Sequence, residues 1–477
     1  MNGQRQAGLL KGGLLTDGVV VVTAALVGLR LGLVPIKDNS AFTHLATGIG
    51  MVADGWLPKI PRVDAYSYTA LGRDWVVQSW LPAWTIGIAE RAFGMHAVLV
   101  LSGAASALLA ALMVSLARTG FALRTAFVAA LTMLIAVQFW APRPLMVGLI
   151  CFALTVLVAE RRSKPWWLIP IGWVWVQSHG SFPLGVVFLG ALWLGTVAPT
   201  RQWRAGGGEL RAGLALVGGI LLGAVNPLGP KLVFFPLTAI SKRDVFSHIA
   251  EWRPLAFDGR EAIIAIVGIT IGVVVCVRRR VPWRVAVPLA VFALLAWSAR
   301  RNVATLAIVL AWALGHALRP RDEERAGAAS QRLDPVIGVA VAVLAAVFVF
   351  TAMGEPALNT RPYPVASIQF AERRGRFDTP HRVLSRDFVG NYLELRRGAS
   401  GDVFIDDRFD MFPVEVPEAY FDLLHDRDNP MAIVDRYEVD TVIWPKDHDL
   451  TRRLRRNGWR VAYSQKLGEV WVVLFRS

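Results

Sequence analysis

The side chains best suited to chemistry lie beside the ends of long apolar runs. Asp38 directly follows the first of these runs, and His44 comes next in the same polar loop. A carboxylate there could act as a general base or bind a divalent cation, and an imidazole could transfer protons or coordinate a metal. Two simpler interpretations stay open at this point: an aspartate that merely ends a helix, and a histidine that only packs.

The same loop holds three further candidates. Asp64 lies in the turn-rich segment 61–69, where it could take part in catalysis or simply cap a turn. Trp75 and Trp80 could stack on a sugar ring as substrate-binding residues, although tryptophan is also common at membrane interfaces. The loop therefore predicts both candidate catalytic groups and candidate sugar contacts.

Three later residues also lie beside the ends of apolar runs. His179, Asn226 and Glu251 are candidate substrate-binding residues, because ionisable and amide groups at membrane depth usually face a cavity or a partner. For His179 the alternative is an anchor in an aromatic belt, since tryptophans precede it.

Arginines form the last group of candidates. Arg143 and the adjacent pair Arg300 and Arg301 could bind the phosphate or diphosphate of a donor, for which a guanidinium fork is well shaped. The alternative is that these side chains extend to lipid head groups. That alternative suits a single arginine better than an adjacent pair, so the pair favours phosphate binding.

Composition identifies the elements that must position these side chains. Of the 477 residues 54% are hydrophobic and 18% are charged, whereas about 25% of a soluble protein is charged. These figures exclude a coiled coil, a disulfide scaffold and a disordered chain. Cys151 and Cys276 both fall in apolar runs, which predicts neither a disulfide nor a thiolate metal site. We therefore expect an all-α polytopic membrane protein.

Apolar runs near the length that crosses a bilayer predict about eleven transmembrane helices. They lie near 18–36, 93–117, 125–140, 144–159, 166–178, 182–198, 212–225, 261–277, 285–299, 302–318 and 333–353. We expect the first to be an uncleaved span. The loop 37–92 that follows it is long, and an interfacial helix is predicted at 40–54.

Basic residues of the short loops share one side of the membrane when the spans alternate. They are Arg118, Arg124, Arg161, Arg162, Lys164, Arg201, Arg204, Arg211, Arg278, Arg279, Arg280, Arg284, Arg319, Arg321, Arg325 and Arg332. The positive-inside bias places this side and the N-terminus in the cytoplasm, and it places loop 37–92 outside. The formal net charge of +15 indicates contact with anionic membrane lipids and no nucleic-acid partner.

The C-terminal region differs from the rest of the chain. From residue 355 to 477 it is charged, and strand-like runs at 382–384, 403–405, 441–444 and 470–474 alternate with helical stretches at 416–425 and 450–456. This alternation predicts a small α/β domain outside the membrane. Residues 1–354 would form the transmembrane domain, which includes loop 37–92.

Taken in order, the polar blocks resemble those of bacterial GT-C-type membrane glycosyltransferases. That superfamily includes the protein O-mannosyltransferases and the catalytic subunit of oligosaccharyltransferase. The resemblance rests on the blocks at 38–45, 61–69, 143–144, 175–180, 226–229, 251–252, 300–301 and 403–408. Two positions depart from the pattern: Ser40 stands where relatives often carry a second acid, and Gln177 stands where they tend to have asparagine.

The resemblance implies a transferase at the outer face of the bacterial plasma membrane. The donor would be a sugar on a polyprenyl phosphate, and the acceptor would be an envelope glycan, lipid or protein. Asp38 would be the catalytic base or a carboxylate associated with Mg²⁺ or Mn²⁺, while Asp64 and His44 orient substrate or metal. Arg300, Arg301 and Arg143 would stabilise the departing phosphate.

Two other functions stay open. A flippase or transporter of lipid-linked sugars would place ionisable residues near mid-membrane and on both faces. Here the polar residues collect on one face, which favours the enzyme. A non-catalytic envelope assembly protein would need the C-terminal domain and not the polar residues at the membrane.

Overall fold

The computed structural model describes residues 17–161, 164–320, 335–425, 427, 429–467 and 469–476. Over this range the chain is mostly helical and carries one small sheet. The predicted loop arginines Arg162, Arg321, Arg325 and Arg332 lie outside the described residues. The chain folds into two compact units, each assembled from separate segments.

The first unit contains residues up to Val34, Val98–Asn226 and Ala250–Glu355. Its α-helices are Asp17–Gly32, Met95–Leu116, Ala122–Ala136, Leu145–Arg161, Leu168–Ser178, Pro183–Val197, Gly207–Leu222, Arg260–Arg278, Trp283–Ser298, Val303–Ala317 and Pro335–Met353. Short 3₁₀ turns lie at Val137–Phe139, Pro165–Trp167, Trp203–Gly206, Ala250–Trp252 and Arg300–Asn302.

Helices occupy the predicted apolar runs, but most are short. Among the described residues, three are long and apolar enough to cross a membrane: Met95–Leu116, Ala122–Phe139 and Arg260–Arg278. This is compatible with a membrane location. Other runs form helices such as Leu168–Ser178, which has 11 residues, fewer than the roughly 20 that span a bilayer. The eleven-span topology stays a prediction.

The second unit contains Pro35–Ala97, Pro227–Ile249 and Pro356–Ser477. Loop 37–92, which composition grouped with the transmembrane part, thus folds together with the C-terminal region. Its α-helices are Asn39–Met51, Trp80–Phe93, Lys231–Ser241, Arg243–Phe246, Val365–Arg373, Asp387–Arg397, Glu415–His425, Pro430–Arg436 and Asp449–Arg456. We call Asn39–Met51, which matches the predicted interfacial helix, the loop helix.

A four-stranded mixed sheet forms the other part of this unit. Its strands are β1 (Val383–Ser385), β2 (Thr441–Pro445), β3 (Arg460–Leu467) and β4 (Glu469–Phe475), in the order β1-β2-β4-β3. β1 and β2 are parallel, and β4 is antiparallel to both β2 and β3. The predicted strand at 403–405 is wrong, since Val403 forms only an isolated bridge with Ser67.

Aromatic and small residues join the pieces of the second unit. The ring centroid of Tyr363 lies 5.1 Å from that of Phe42 and 5.2 Å from that of Tyr392. Because Phe42 belongs to the loop helix and Tyr392 to helix Asp387–Arg397, these contacts connect the two helices. Gly48 lets the loop helix approach helix Trp80–Phe93, because a Cβ there would collide with the Ala83 carbonyl oxygen. The loop helix is therefore held firmly on two sides.

Candidate functional site

Asp38 caps the N-terminus of the loop helix. Its backbone is extended, with φ −71° and ψ 122°, and its Oδ1 accepts a hydrogen bond from the Ala41 amide at 3.2 Å. Side-chain oxygens at this position satisfy amides that the first helical turn leaves unpaired. The chain before it is fixed by backbone hydrogen bonds from Ile36 to Ala357 and from Asn359 to Ile36. Asp38 thus lies where two distant segments meet within the second unit.

A second carboxylate, from Asp407, joins Asp38 at this point. Asp407 accepts hydrogen bonds from Asn391 Nδ2 and from the Ser40 side chain, and the negative charge of Asp38 acts on it. Asn391 is fully buried and also donates to Thr43 Oγ1 on the loop helix. Ser40 of the loop helix therefore contacts an acid that comes from the C-terminal region.

The environment of Asp407 suits it to proton transfer near neutral pH. Removal from water, the nearby charge of Asp406 and the weaker effect of the Asp38 charge together raise the pKa of Asp407 to about 7. Hydrogen bonds from Asn391 and Ser40 act in the opposite direction. A half-buried carboxyl with such a pKa can accept or donate a proton at physiological pH.

Behind Asp407 lies a buried cluster of charges centred on Arg408, which we call the Arg408 cluster. Arg408 lies 2.8 Å from Asp64, 2.6 Å from Asp406 and 2.9 Å from Glu394. Its guanidinium carbon also lies 4.5 Å from the centroid of the Trp75 ring. Since Arg408 is 7% exposed and all three acids are 1% exposed or less, the cluster is sealed from solvent.

Proton distribution within the Arg408 cluster follows from burial and contact. Burial raises the pKa of Glu394 well above its usual value, and the neighbouring charge of Asp406 adds to this. Burial would also raise the pKa of Asp406, but the Arg408 charge and hydrogen bonds outweigh it and lower that pKa. Within the cluster, proton binding is therefore favoured at Glu394 and disfavoured at Asp406, whose carboxylate the Arg408 charge stabilises.

This geometry gives Asp64 and the two tryptophans supporting positions. Asp64 accepts from the Ser67 amide at 2.9 Å and from Arg408, so it closes the turn and anchors the buried cluster. Trp75 lies buried against Arg408, and Trp80 is 6% exposed with its ring centroid 6.3 Å from that of Trp84. These three residues hold the loop in place rather than face solvent.

His44 lies between one and two helical turns beyond the capping residue Asp38. Its Nδ1 is 3.3 Å from Ser79 Oγ, and the side chain is half-buried. Of the five candidates in the loop, Asp38 and His44 are therefore the two that keep partial access to solvent.

The arginine candidates lie in the first unit and have separate partners. Arg143 forms an ion pair with Glu251 at 2.7 Å. Arg300 binds the Asp258 carboxylate with two nitrogens, at 3.0 and 2.7 Å. Arg301 instead lies 4.2 Å above the Trp252 ring, and within the described part of the chain no acceptor hydrogen-bonds to its guanidinium. The adjacent pair therefore does not act as one fork.

His179 and Asn226, also in the first unit, stabilise helix ends. His179 Nδ1 accepts from the Ser181 amide at 3.2 Å just after helix Leu168–Ser178. Asn226 donates from Nδ2 to the Gly223 carbonyl oxygen after helix Gly207–Leu222. Both contacts are local, so they do not bring either residue to Arg143 or Arg301.

Sequence reasoning missed four residues of the second unit: Asp407, Asn391, Arg408 and Glu394. One signal was present, because an apolar run leads directly into two acids and an arginine at 406–408. Asn391 and Glu394 lie three residues apart on helix Asp387–Arg397 and so share one face.

The predicted cation at Asp38 stays a prediction. Asp38 and Asp407 both accept hydrogen bonds from N–H or O–H groups of the protein. Over the described residues, no three histidine, cysteine or acidic side chains are grouped to hold a metal. No step below is routed through a metal.

Comparison with known proteins identifies no relative. No protein-family model matches this chain, and no curated protein matches it.

Proposed function

We propose that this chain is a membrane glycosyltransferase of the GT-C type. It would transfer a sugar from a polyprenyl-phosphate donor to an envelope acceptor at the outer face of the bacterial plasma membrane. The proposal includes about eleven spans and a cytoplasmic N-terminus. The observation that carries it is a pair of carboxylates at the start of the loop helix, Asp38 and Asp407, near enough for the charge of Asp38 to raise the pKa of Asp407.

In this proposal Asp407 is the proton acceptor, and Asp38 orients the acceptor hydroxyl. The hydroxyl oxygen forms a bond with the anomeric carbon while its proton passes to the Asp407 carboxylate. The bond from the anomeric carbon to the phosphate oxygen breaks, and its electron pair leaves with the lipid phosphate. A base is most effective when its pKa lies near the working pH, and the pKa of Asp407 is raised to about 7.

Arg301 and Arg143 are proposed to bind the donor phosphate. Support comes from the first unit alone: Trp252 holds the Arg301 guanidinium flat, and Glu251 fixes Arg143. Two guanidinium groups beside one carboxylate keep a net positive charge, which favours an anion. Arg300, by contrast, is already neutralised by Asp258.

The first experiment identifies the donor in cells. A strain lacking the protein is analysed by mass spectrometry for accumulated lipid-linked sugars, and it is then complemented with the wild-type chain, Asp38→Asn, Asp407→Asn or the control Asp447→Asn. Asp447 is an exposed carboxylate of the same unit. We expect accumulation to persist with the first two variants only. A strain that accumulates no lipid-linked sugar would contradict the transferase proposal.

The second experiment separates the roles of the two carboxylates. Transfer from the accumulated lipid is measured with purified protein across pH 5–9. Loss of a general base typically costs about 10²–10⁴-fold, so Asp407→Asn should fall by that factor and lose the rise in rate near pH 7. Asp38→Asn should also fall well below the wild-type rate because the acceptor hydroxyl loses the group that orients it, and the rise that remains should move to lower pH, because a charge that raises the pKa of Asp407 is removed. Full activity of both variants would refute the proposed base.

A further inference from the structure

A basic pocket lies at one end of three helices of the first unit. A cavity of about 570 Å³ is lined by Arg124, Arg279, Arg280, His316 and Arg319, together with apolar residues, and none of its described lining residues is acidic. These residues lie at the start of helix Ala122–Ala136 and at the ends of helices Arg260–Arg278 and Val303–Ala317. The sequence assigns these helix ends to the cytoplasmic side, away from the predicted outer loop.

Glu160 contacts two residues of the pocket, His316 and Arg319, and other donors already engage it. Glu160 accepts hydrogen bonds from Arg284 at 3.1 Å and from Trp312 at 3.0 Å, and it lies 3.0 Å from His316. It reaches Arg319 of the pocket only at 3.4 Å. Glu160 is thus shared among several donors and cannot by itself neutralise the positive charge of the pocket.

Three arginines of the pocket have no carboxylate partner in the described part of the chain: Arg124, Arg279 and Arg280. Arg124 lies over the Phe121 ring at 4.6 Å, while Arg279 and Arg280 are exposed. Like charges gathered round one cavity repel one another, so the arrangement favours an anion that enters it.

The backbone at Arg280 supplies an independent observation. Helix Arg260–Arg278 ends in a Schellman motif, with the Arg280 amide bonded to the Val277 carbonyl and the Val281 amide bonded to the Cys276 carbonyl. Arg280 has φ 50°, the left-handed conformation that glycine usually supplies at this position. An arginine here carries backbone strain that a glycine would avoid, and this arginine lines the pocket.

We infer that this pocket binds a phosphate-bearing anion. Guanidinium groups recognise phosphate oxygens through paired hydrogen bonds, and basic pockets between helices on the cytoplasmic side suit anionic head groups. The cavity lies within the range of small-ligand sites, about 300–1,000 Å³. The phosphate belongs either to an anionic phospholipid or to a soluble anion such as diphosphate.

The experiment uses the purified full-length chain and has two arms. In the first, native mass spectrometry counts retained lipid after incubation with phosphatidylglycerol, cardiolipin or the zwitterionic control phosphatidylcholine. In the second, calorimetry measures inorganic diphosphate binding to the chain in phosphatidylcholine nanodiscs. The variants are Arg280→Gly and Arg279→Gln. Arg280→Gly relieves the backbone strain, so its loss of binding cannot be attributed to unfolding.

Arg201→Gly is the matched control. Arg201 is another exposed arginine of the first unit with a left-handed backbone, at φ 53°, and it does not line the pocket. Hydrogen bonds to charged groups contribute about 1.5–3 kcal/mol, so each pocket variant should weaken binding roughly tenfold or more in one arm, while the control binds like wild type.

Each result of the two arms either supports or overturns the proposed anion site. Selective retention of the two anionic lipids identifies a head group, and diphosphate binding without lipid selectivity identifies a soluble anion; both support the site. Absence of binding in both arms, or equal binding by Arg280→Gly and Arg201→Gly, overturns it.

Discussion

Replacing Arg408 with methionine should destabilise the second unit far more than the loss of a surface ion pair does. Methionine keeps much of the side-chain volume but removes the positive charge that lies within 2.8 Å of both Asp64 and Asp406. The two carboxylates would stay buried without a cation. Breaking a buried ion pair by removing one partner typically costs about 3–5 kcal/mol.

The cost of protonating the two buried acids gives a second estimate of the lost stability. A carboxylate stranded in the interior escapes most of the penalty by binding a proton. The usual pKa of aspartate is 3.8, so protonation at pH 7 spans about three pH units at about 1.4 kcal/mol each, or about 4 kcal/mol per acid. The expected cost at pH 7 is therefore about 4–8 kcal/mol. It should shrink at pH 5, where protonation is cheaper.

Thermal unfolding of the purified chain measures this effect. The total tryptophan fluorescence, to which Trp75 beside Arg408 contributes, follows unfolding, and each variant is compared with the wild-type chain. For a unit of this size about 1 kcal/mol corresponds to about 2–4 °C, and the melting temperature should fall by about 10 °C or more. Adding Asp64→Asn and Asp406→Asn to the methionine variant should recover part of the loss.

Arg396→Gln is the control for this prediction. Arg396 pairs with Glu372 through two hydrogen bonds at the surface of the same unit, and exposed pairs contribute about 0.2–1 kcal/mol. If Arg408→Met cost no more than Arg396→Gln, or cost more at pH 5 than at pH 7, the account of the Arg408 cluster would be refuted.

Two more predictions concern stability. Because the pKa of Asp407 is raised from 3.8 to about 7, the folded chain binds this proton more tightly than the unfolded chain, and stability falls as pH rises from about 4 to about 7. Asp407→Asn should remove this dependence and gain roughly 1–3 kcal/mol at pH 8, measured by thermal unfolding across pH; a variant that kept the slope would contradict it. Gly48→Ala should cost about 1–3 kcal/mol by overpacking, whereas Gly50→Ala, whose nearest neighbour is Tyr66 Oη at 3.8 Å, should be neutral; equal melting temperatures would contradict the close helix crossing.

The sequence predicted elements where the hydrophobic pattern is strong and local. The runs at 441–444 and 470–474 became β2 and β4, the central strands of the sheet. β3, Arg460–Leu467, was missed because an edge strand tolerates the polar side chains that hide its pattern. The run at 403–405 looks like a strand but pairs with Ser67 of the distant loop, a contact that no local pattern reveals.

The same distinction between local and long-range contacts applies to the candidate site. Asp38 was found because its neighbours in sequence, an apolar run and a helix, already indicate its position. Asp64 looked equally suitable, and only Arg408, which lies far along the chain, reveals that it is buried in an ion pair. Asp407 carried no special signal by itself, since its raised pKa depends on burial and on charges from both segments.

The alternation of residues 406–408 explains how one short segment serves both structure and the proposed chemistry. Burial alternates along this segment. Asp406 and Arg408 are buried in the Arg408 cluster, whereas Asp407 between them is half-buried and meets Ser40 of the loop helix. The Arg408 cluster therefore fixes the backbone that aims Asp407, and the charge of Asp406 raises its pKa. Replacing Asp406 should alter the proton affinity of Asp407 even though Asp406 itself is buried.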